Sequence, residues 1–239
     1  MKPHFGLLAS PPPLPRIVAR AQVACSLAMR ADLEAHEDVV AAAGIIALCS
    51  DWLDASGHGA ELAAEESDAL GTTPGGLSPP QRERYATQAE AAALLAWALQ
   101  RAPLPGFAVD ADGAATAAAL GWLDAAGAQL GTTARLRARE QLMALLDAIG
   151  AVHWRLLDHT RRPDASVSMQ RFAPDQHAWP DEVTPCELVD GDLALAGAAL
   201  RAVDGATLFA ALRRVQERHR ALLWLLGQQR DYWSVALPQ

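Results

Sequence analysis

LRRVQERHRALLWLLG, residues 212–227, has the clearest helical pattern in the sequence. On a helical wheel of about 100° per residue, one arc of about 100° collects a single histidine and five apolar residues: Leu212, Val215, His219, Leu222, Leu223 and Leu226. We therefore expect an amphipathic helix over 206–226, capped by Asp204 and ended by Gly227. His219 is predicted to lie in the core and its charged neighbours in sequence, Glu217 and Arg218 among them, in solvent. Glu217 is expected on a salt-bridged flank of the helix.

Upstream of this helix, four more helical segments are separated by proline and glycine. They are expected at 16–29, at 37–55, from Pro79 to a stop at Pro103, and at 133–161. Ser78 and Gln81 form a capping box for the third. The fourth is the longest, and its wide apolar arc predicts the central helix of the domain: Leu142, Met143, Leu145, Leu146, Ile149, Val152, His153, Trp154, Leu156 and Leu157.

The pattern as a whole predicts a mostly α fold with one multi-helix domain over 16–235, preceded by a Pro-rich N-terminal tail at 1–15. Residues 163–190 hold several prolines and no sustained period, so we expect an irregular segment there. Leu193 and Leu195 then alternate before a turn at Gly197, which predicts a small β-hairpin ahead of the C-terminal helix. The run ELAAEESD, residues 61–68, is expected to be a solvated helical face.

The composition and net charge of the chain limit the classes of partner that it can bind. The chain has 239 residues, a net charge of −8 and 51% apolar residues, which is typical of a globular acidic protein. This charge disfavours phosphate backbones as partners, although Arg135, Arg137 and Arg139 lie at the start of the longest helix. No apolar run approaches the roughly 18 residues of a membrane span. We therefore predict a cytoplasmic protein that binds neither nucleic acid nor membrane.

Cofactor chemistry has no motif in the sequence. Cys25, Cys49 and Cys186 are widely spaced and form neither a disulfide framework nor a metal knuckle. His153 and His159 are six residues apart, which puts them about 120° apart on a helix rather than on one face. We predict no metal and no cofactor.

Several motifs, taken in order, resemble a bacterial family known as domain of unknown function 4272. The C-terminal ERHRALLWLLG follows GDLALAG and precedes a Trp-bearing tail. Upstream, SDWLDASG, LGTTPGGLSP, QAEAAALLAWAL and LRAREQLMALLDAIGAVHWRL are similar to the family's earlier helices and turn. The resemblance covers residues 16–233. The positions that match the family motifs are Glu90, Trp97, Trp154, Arg155, Glu217, Arg218, His219, Trp224 and Trp233.

This resemblance implies a mostly helical, cytoplasmic bacterial protein, and it supplies no reaction. Two features depart from the family pattern. Leu223 stands where an Asn commonly precedes the Trp of the last helix, and the tail reads DYWSVALPQ in place of Trp-Asp with an acidic end. If those polar groups belong to a site, this chain has lost it.

Two functions from different classes fit the sequence. The first is a non-catalytic module that binds another protein, as an adaptor, chaperone or immunity protein does. Phe172, His177 and Trp179 in the irregular segment are its candidate contacts, because loops on a rigid scaffold often carry recognition. The alternative for these rings is that they only anchor the segment to the domain.

The second function is a hydrolytic enzyme with a buried His/Glu site. It would join His153 and His219 with Glu217 or Glu90, because burial can tune imidazole groups for acid–base chemistry. Against it stands the ordinary role of a histidine on an apolar helix face, which is a hydrogen-bonded core residue. A cleft where the two rings meet a carboxylate would favour the enzyme.

Overall fold

Proline, glycine and aspartate residues set most helix boundaries in the computed structural model, which describes residues 10–237. The fold is mostly α, as predicted. The helices are α1 (Leu14–Asp32), α2 (Val39–Ala55), α3 (Ala64–Gly71), α4 (Pro79–Ala86), α5 (Gln88–Ala98), α6 (Gly113–Ala119), α7 (Ala125–Ala128), α8 (Leu130–Thr133), α9 (Arg139–Arg161) and α10 (Gly205–Leu225). The strands are β1 (Glu187–Val189), β2 (Asp192–Leu195) and β3 (Ala198–Ala199).

The predicted hairpin before the last helix is confirmed, and a third strand extends it. β2 and β3 pair antiparallel around Gly197, whose φ of 76° suits a glycine in a tight turn. β1 pairs with β2, with Leu188 opposite Leu193. With three residues, β1 is too short to show the alternation that marks a strand in sequence.

The last helix is confirmed at both ends. The Asp204 side chain accepts a hydrogen bond from the backbone N–H of Thr207 at its start, and Gly227 follows its end with a φ of 84°. By contrast, the predicted start of the longest helix at 133 is wrong. α8 ends at Thr133, and Ala138 has an extended backbone, so α9 begins only at Arg139.

Two other boundary predictions are corrected. The helix expected from Pro79 to Pro103 is interrupted at Thr87, whose hydroxyl donates to the carbonyl of Arg84 at 2.8 Å and so competes with the helical hydrogen bond. The Pro-rich tail expected at 1–15 is shorter, because α1 begins at Leu14. Residues 1–9 of that tail lie outside the described residues.

The chain groups into two compact units that do not follow sequence order. The N-terminal unit comprises Pro13–Ala102 and Ala111–Leu136. The C-terminal unit includes Pro103–Asp110 and everything from Arg137 onward. Residues 10–12 also group with the C-terminal unit, so the chain passes from one unit to the other after residues 12, 102, 110 and 136. One domain over 16–235 stays a prediction.

In the N-terminal unit, α1 is the central helix. Every residue from 17 to 28 is buried, and α2, α3, α4, α5, α6 and α8 all pack against α1. The sequence analysis assigned the central place to the longest helix, α9, on the width of its apolar arc. That arc was overestimated, because Met143 and Trp154 on α9 are exposed.

A buried ion pair fixes α3 and α5 against α1. Two guanidinium nitrogens of Arg20 donate to the carboxylate of Glu66 at 2.8 and 2.9 Å, and one also donates to Gln88 at 2.9 Å. All three side chains are buried. The prediction that 61–68 is a solvated face is therefore wrong at Glu66, which lies in the core opposite Arg20.

In the C-terminal unit, α9 packs against α10, and residues 103–110 are tied to α10 by two arginines. Arg218 donates to the carbonyls of Pro105 at 2.7 Å, Gly106 at 3.2 Å and Val109 at 3.3 Å. Arg214 donates to the carbonyl of Phe107 at 2.8 Å and also bonds the Asp110 carboxylate. Separately, Leu104 exchanges backbone hydrogen bonds with 182 and 184. Residues 103–110 therefore belong to the C-terminal unit, although the residues directly before and after them in sequence belong to the N-terminal unit.

Removing the buried cation that Arg20 provides should be costly. We expect Arg20→Met to lower the free energy of unfolding by about 3–5 kcal/mol, because it leaves the Glu66 carboxylate buried without its main counter-charge. The matched control is Arg84→Met, which breaks the exposed pair between Arg84 and Glu65 and should cost less than about 1 kcal/mol. Urea denaturation measures both, and equal losses would contradict the assignment.

Candidate functional site

The two histidines predicted to be buried meet each other in the C-terminal unit. His153 comes from α9 and His219 from α10, and their Nδ1 atoms lie 2.9 Å apart. The rings are nearly perpendicular, with centroids 5.2 Å apart, and their exposed fractions are 0% and 1%. The inward orientation of His219 is confirmed. A hydrogen bond between two Nδ1 atoms requires that one donates and the other accepts.

Burial keeps both rings neutral. Desolvation lowers the pKa of His153 from 6.5 to about 4. Desolvation, with a smaller contribution from the nearby charge of His153, lowers the pKa of His219 to about 3. A general base works best with a pKa near the operating pH, and it must reach a substrate. This pair meets neither condition at neutral pH, so its geometry suits a packing contact between α9 and α10.

The candidate carboxylates are engaged with other groups. The Tyr232 hydroxyl donates to Oε1 of Glu217 at 2.5 Å, and Nε of Arg220 donates to Oε2 at 3.4 Å. Glu217 is buried rather than solvated, so the prediction of a flank in solvent is wrong at this residue and at the buried Arg218. Glu90 lies in the other unit, where its Oε1 accepts from the backbone N–H of Ala111 at 2.8 Å.

Arg155, one of the family-motif positions, links α9 to strand β2 and to the loop that follows α9. Its Nε and Nη2 donate to the two Asp192 oxygens at 2.8 and 2.7 Å, and Nη2 also donates to the Ala165 carbonyl at 2.9 Å. Burial raises the pKa of Asp192, but the hydrogen bonds from Arg155 and from the Leu193 N–H outweigh it and hold the pKa below its usual value.

The tryptophans among the motif positions divide between core and surface. Trp97 and Trp224 are fully buried, whereas Trp154 is 50% exposed. Trp233 is half-buried, and the guanidinium of Arg220 lies 5.4 Å from its ring centroid. The buried Trp97 and Trp224 thus serve packing, and Trp233 contacts Arg220.

The aromatic residues of segment 163–190 pack against one another. The ring of His177 lies 5.1 Å from both the Phe172 ring and the Trp179 ring. The indole N–H of Trp179 donates to the carbonyl of Phe172 at 3.2 Å, and Phe172 is buried. This placement agrees with rings that anchor the segment, which was the alternative to a contact surface.

A different surface, which the sequence analysis missed, exposes apolar residues on α2. We call it the α2 face and define it as Val40, Ala43, Gly44, Ala47 and Leu48, all of which are exposed. Val40 is 83% exposed and Leu48 is 57% exposed. The opposite side of α2 packs into the N-terminal unit through residues that include Ala42, Ile46 and Leu53. The available signal was the absence of any charged residue from 39 to 50.

The cysteines, the possible metal ligands, Arg137 and one cleft were also compared with the sequence predictions. Burial raises the pKa of the Cys25 and Cys49 thiols to about 12, which makes them poor nucleophiles. Across residues 10–237, no group of three His, Cys, Asp or Glu side chains is arranged to hold a metal ion. Arg137 is not in a helix; it pairs with Glu182. A cleft of about 330 Å³ in the C-terminal unit is lined by residues that include His159, Arg201 and Phe209.

Searches for similar proteins give no match for this chain among protein-family models, curated proteins or solved structures. Membership of the domain of unknown function 4272 family stays a prediction. Within the described part of the chain, no helix combines the length and the hydropathy that crossing a membrane requires.

The contact between the two histidines should appear in a double-mutant cycle. His153→Leu and His219→Leu should each lower the free energy of unfolding by about 1–3 kcal/mol, because each leaves the remaining Nδ1 buried without its partner. The double variant should lose less than the sum of the two, by about 1 kcal/mol or more. Urea denaturation at neutral pH measures the four proteins, and strict additivity would show that the rings do not interact.

The same pair should make the protein sensitive to mild acid. Both folded-state pKa values lie below 6.5, so the unfolded chain binds more protons as the pH falls below about 6.5. Stability should then fall by up to about 1.4 kcal/mol per pH unit for each ring until the pH approaches 4. Denaturation of the wild type and of the double Leu variant across this range should give a shallower slope for the variant. His36→Gln, at an exposed histidine, is the control.

Proposed function

We propose that this protein is a non-catalytic module that binds another protein through the α2 face. One observation carries the proposal: a helix that is apolar on every side along 39–50 buries only one of its sides. Contiguous apolar patches that are exposed on a protein surface often mark sites where another molecule binds.

The shape of the α2 face supports a packed contact. Val40 and Leu48 project on either side of Gly44, and a Cβ built on Gly44 meets no atom within 4 Å. Small residues at 43, 44 and 47 let a partner backbone approach between the two larger side chains. Burying Val40 and Leu48 against a partner would remove exposed apolar surface from water, which favours binding.

The histidine pair supports the non-catalytic part of the proposal. Its rings are sealed and bonded to each other, while Glu217 bonds Tyr232 and Glu90 lies in the N-terminal unit. The proposed class includes adaptor, chaperone and immunity proteins. We also propose that the protein is cytoplasmic.

The test compares partners captured by proteins that differ only on this surface. Wild-type protein and Val40→Glu/Leu48→Glu are immobilised and exposed to lysate of the source organism, and bound proteins are quantified by mass spectrometry. We expect a stoichiometric partner whose recovery falls at least about tenfold with the variant, because a carboxylate cannot be buried unpaired in an apolar contact.

Val109→Glu/Met143→Glu is the matched control, since both residues are exposed and apolar but lie outside α2. It should capture the partner as the wild type does. Circular dichroism and urea denaturation establish that all three proteins are folded. A partner retained equally by every variant, or no partner at all, would refute binding through the α2 face.

A further inference from the structure

We infer that the α2 face binds an amphipathic helix that carries Lys or Arg residues at the ends of its apolar stripe. The inference rests on the proposed function and names the chemistry of its partner. The charge around the face, its length and the exclusion of other occupants support it independently.

The charged residues on α2 and directly before it are all acidic. Between residues 31 and 81 the sequence has ten acidic residues and no Lys or Arg, although four of the ten pair with arginines from outside this range. Glu37 and Asp38 precede α2, while Asp51 and Asp54 lie in its last two turns, and all four are exposed. A helix wheel places Asp51 and Asp54 in line with Val40 and the rest of the α2 face.

The helix dipole adds to this charge at one end. The C-terminal end of α2 carries partial negative charge, and no basic residue in its last turn offsets it. The negative charges of Asp51 and Asp54 therefore add to the negative end of the helix dipole, and no basic residue in the last turn of α2 offsets them. A cation supplied by a partner would gain from both side chains and from the dipole, which makes this end the stronger site for Lys or Arg.

The length of the uncharged stretch sets the length of the ligand. Residues 39–50 rise about 18 Å along the helix axis, or just over three turns. A partner helix of about 12–16 residues covers this distance and places its flanking residues beside the acidic ends. Apolar residues at positions i, i+3 or i+4 and i+7 of the partner would meet Val40, Gly44 and Leu48.

Two other occupants fit the charge poorly. A second copy would bring acidic ends against acidic ends whether the two α2 helices ran parallel or antiparallel, and like charges facing each other oppose association. A membrane surface rich in anionic lipid would be repelled in the same way. Residues 2–9 of this chain contain one Lys, Lys2, and are treated as a competitor in the test.

The probe is a displayed library of randomised helical peptides, selected for binding to wild-type protein and against binding to Val40→Glu/Leu48→Glu. We expect the recovered peptides to share an apolar stripe with Lys or Arg at its ends. The best of them is then measured by fluorescence anisotropy. Asp51→Lys/Asp54→Lys should weaken its binding about fivefold or more at low salt, with a smaller difference at high salt.

Asp164→Lys/Asp175→Lys makes the same change in net charge at exposed residues outside α2 and should leave the affinity unchanged. Peptides that depend on Val40 and Leu48 but have acidic or uncharged ends would overturn this inference and leave the proposed function standing. A library that yields no α2-dependent peptide would overturn both. Affinity that rises several-fold when residues 2–9 are deleted, or a dimer that Val40→Glu/Leu48→Glu dissolves, would show that the chain itself covers the face and would also overturn it.

Discussion

The cost of burying a guanidinium group is the constraint on which this structure most depends. Arg20, Arg30, Arg155 and Arg218 are all fully buried. Arginine stays charged in proteins, so a buried arginine must be surrounded by acceptors. Arg30 shows the pattern: it donates to the carbonyls of 69, 72 and 73, and it pairs with Glu34. Each such arginine holds a helix, loop or strand from another part of the sequence.

Local sequence signals were enough to predict most helices. Capping by Asp204, the stop at Gly227 and the turn at Gly197 each act within a few residues, and each was found where expected. The failures arose where a side chain or a distant segment overrode the local pattern. The Thr87 hydroxyl interrupts one helix, and the extended backbone at Ala138 delays another.

The interior was predictable in part. A helix wheel correctly placed His153 and His219 among apolar residues, but it could not reveal that the two rings bond to each other across 66 positions of sequence. The sequence also predicted Glu217 and Arg218 in solvent, because charged side chains are normally exposed unless they are paired. The buried Glu217 is bonded by Tyr232, 15 positions away, and the buried Arg218 bonds the carbonyls of 105, 106 and 109, more than 100 positions away. The α2 face was missed for the converse reason: a helix without charge is normally surrounded, and only the packing of Ala42 and Ile46 shows which side is left open.

The arginines that hold residues 103–110 also bear on how the chain folds as it is synthesised. The hydrogen bonds from Arg214 and Arg218 to this segment span 104 to 113 positions. Residues 103–110 therefore emerge from the ribosome roughly a hundred residues ahead of the side chains that will hold them. Until α10 is complete, the carbonyls of 105, 106 and 109 lack the Arg218 guanidinium as a donor. Contacts of such long range are intrinsically slow to form, so this unit should become resistant to proteases later than the N-terminal unit.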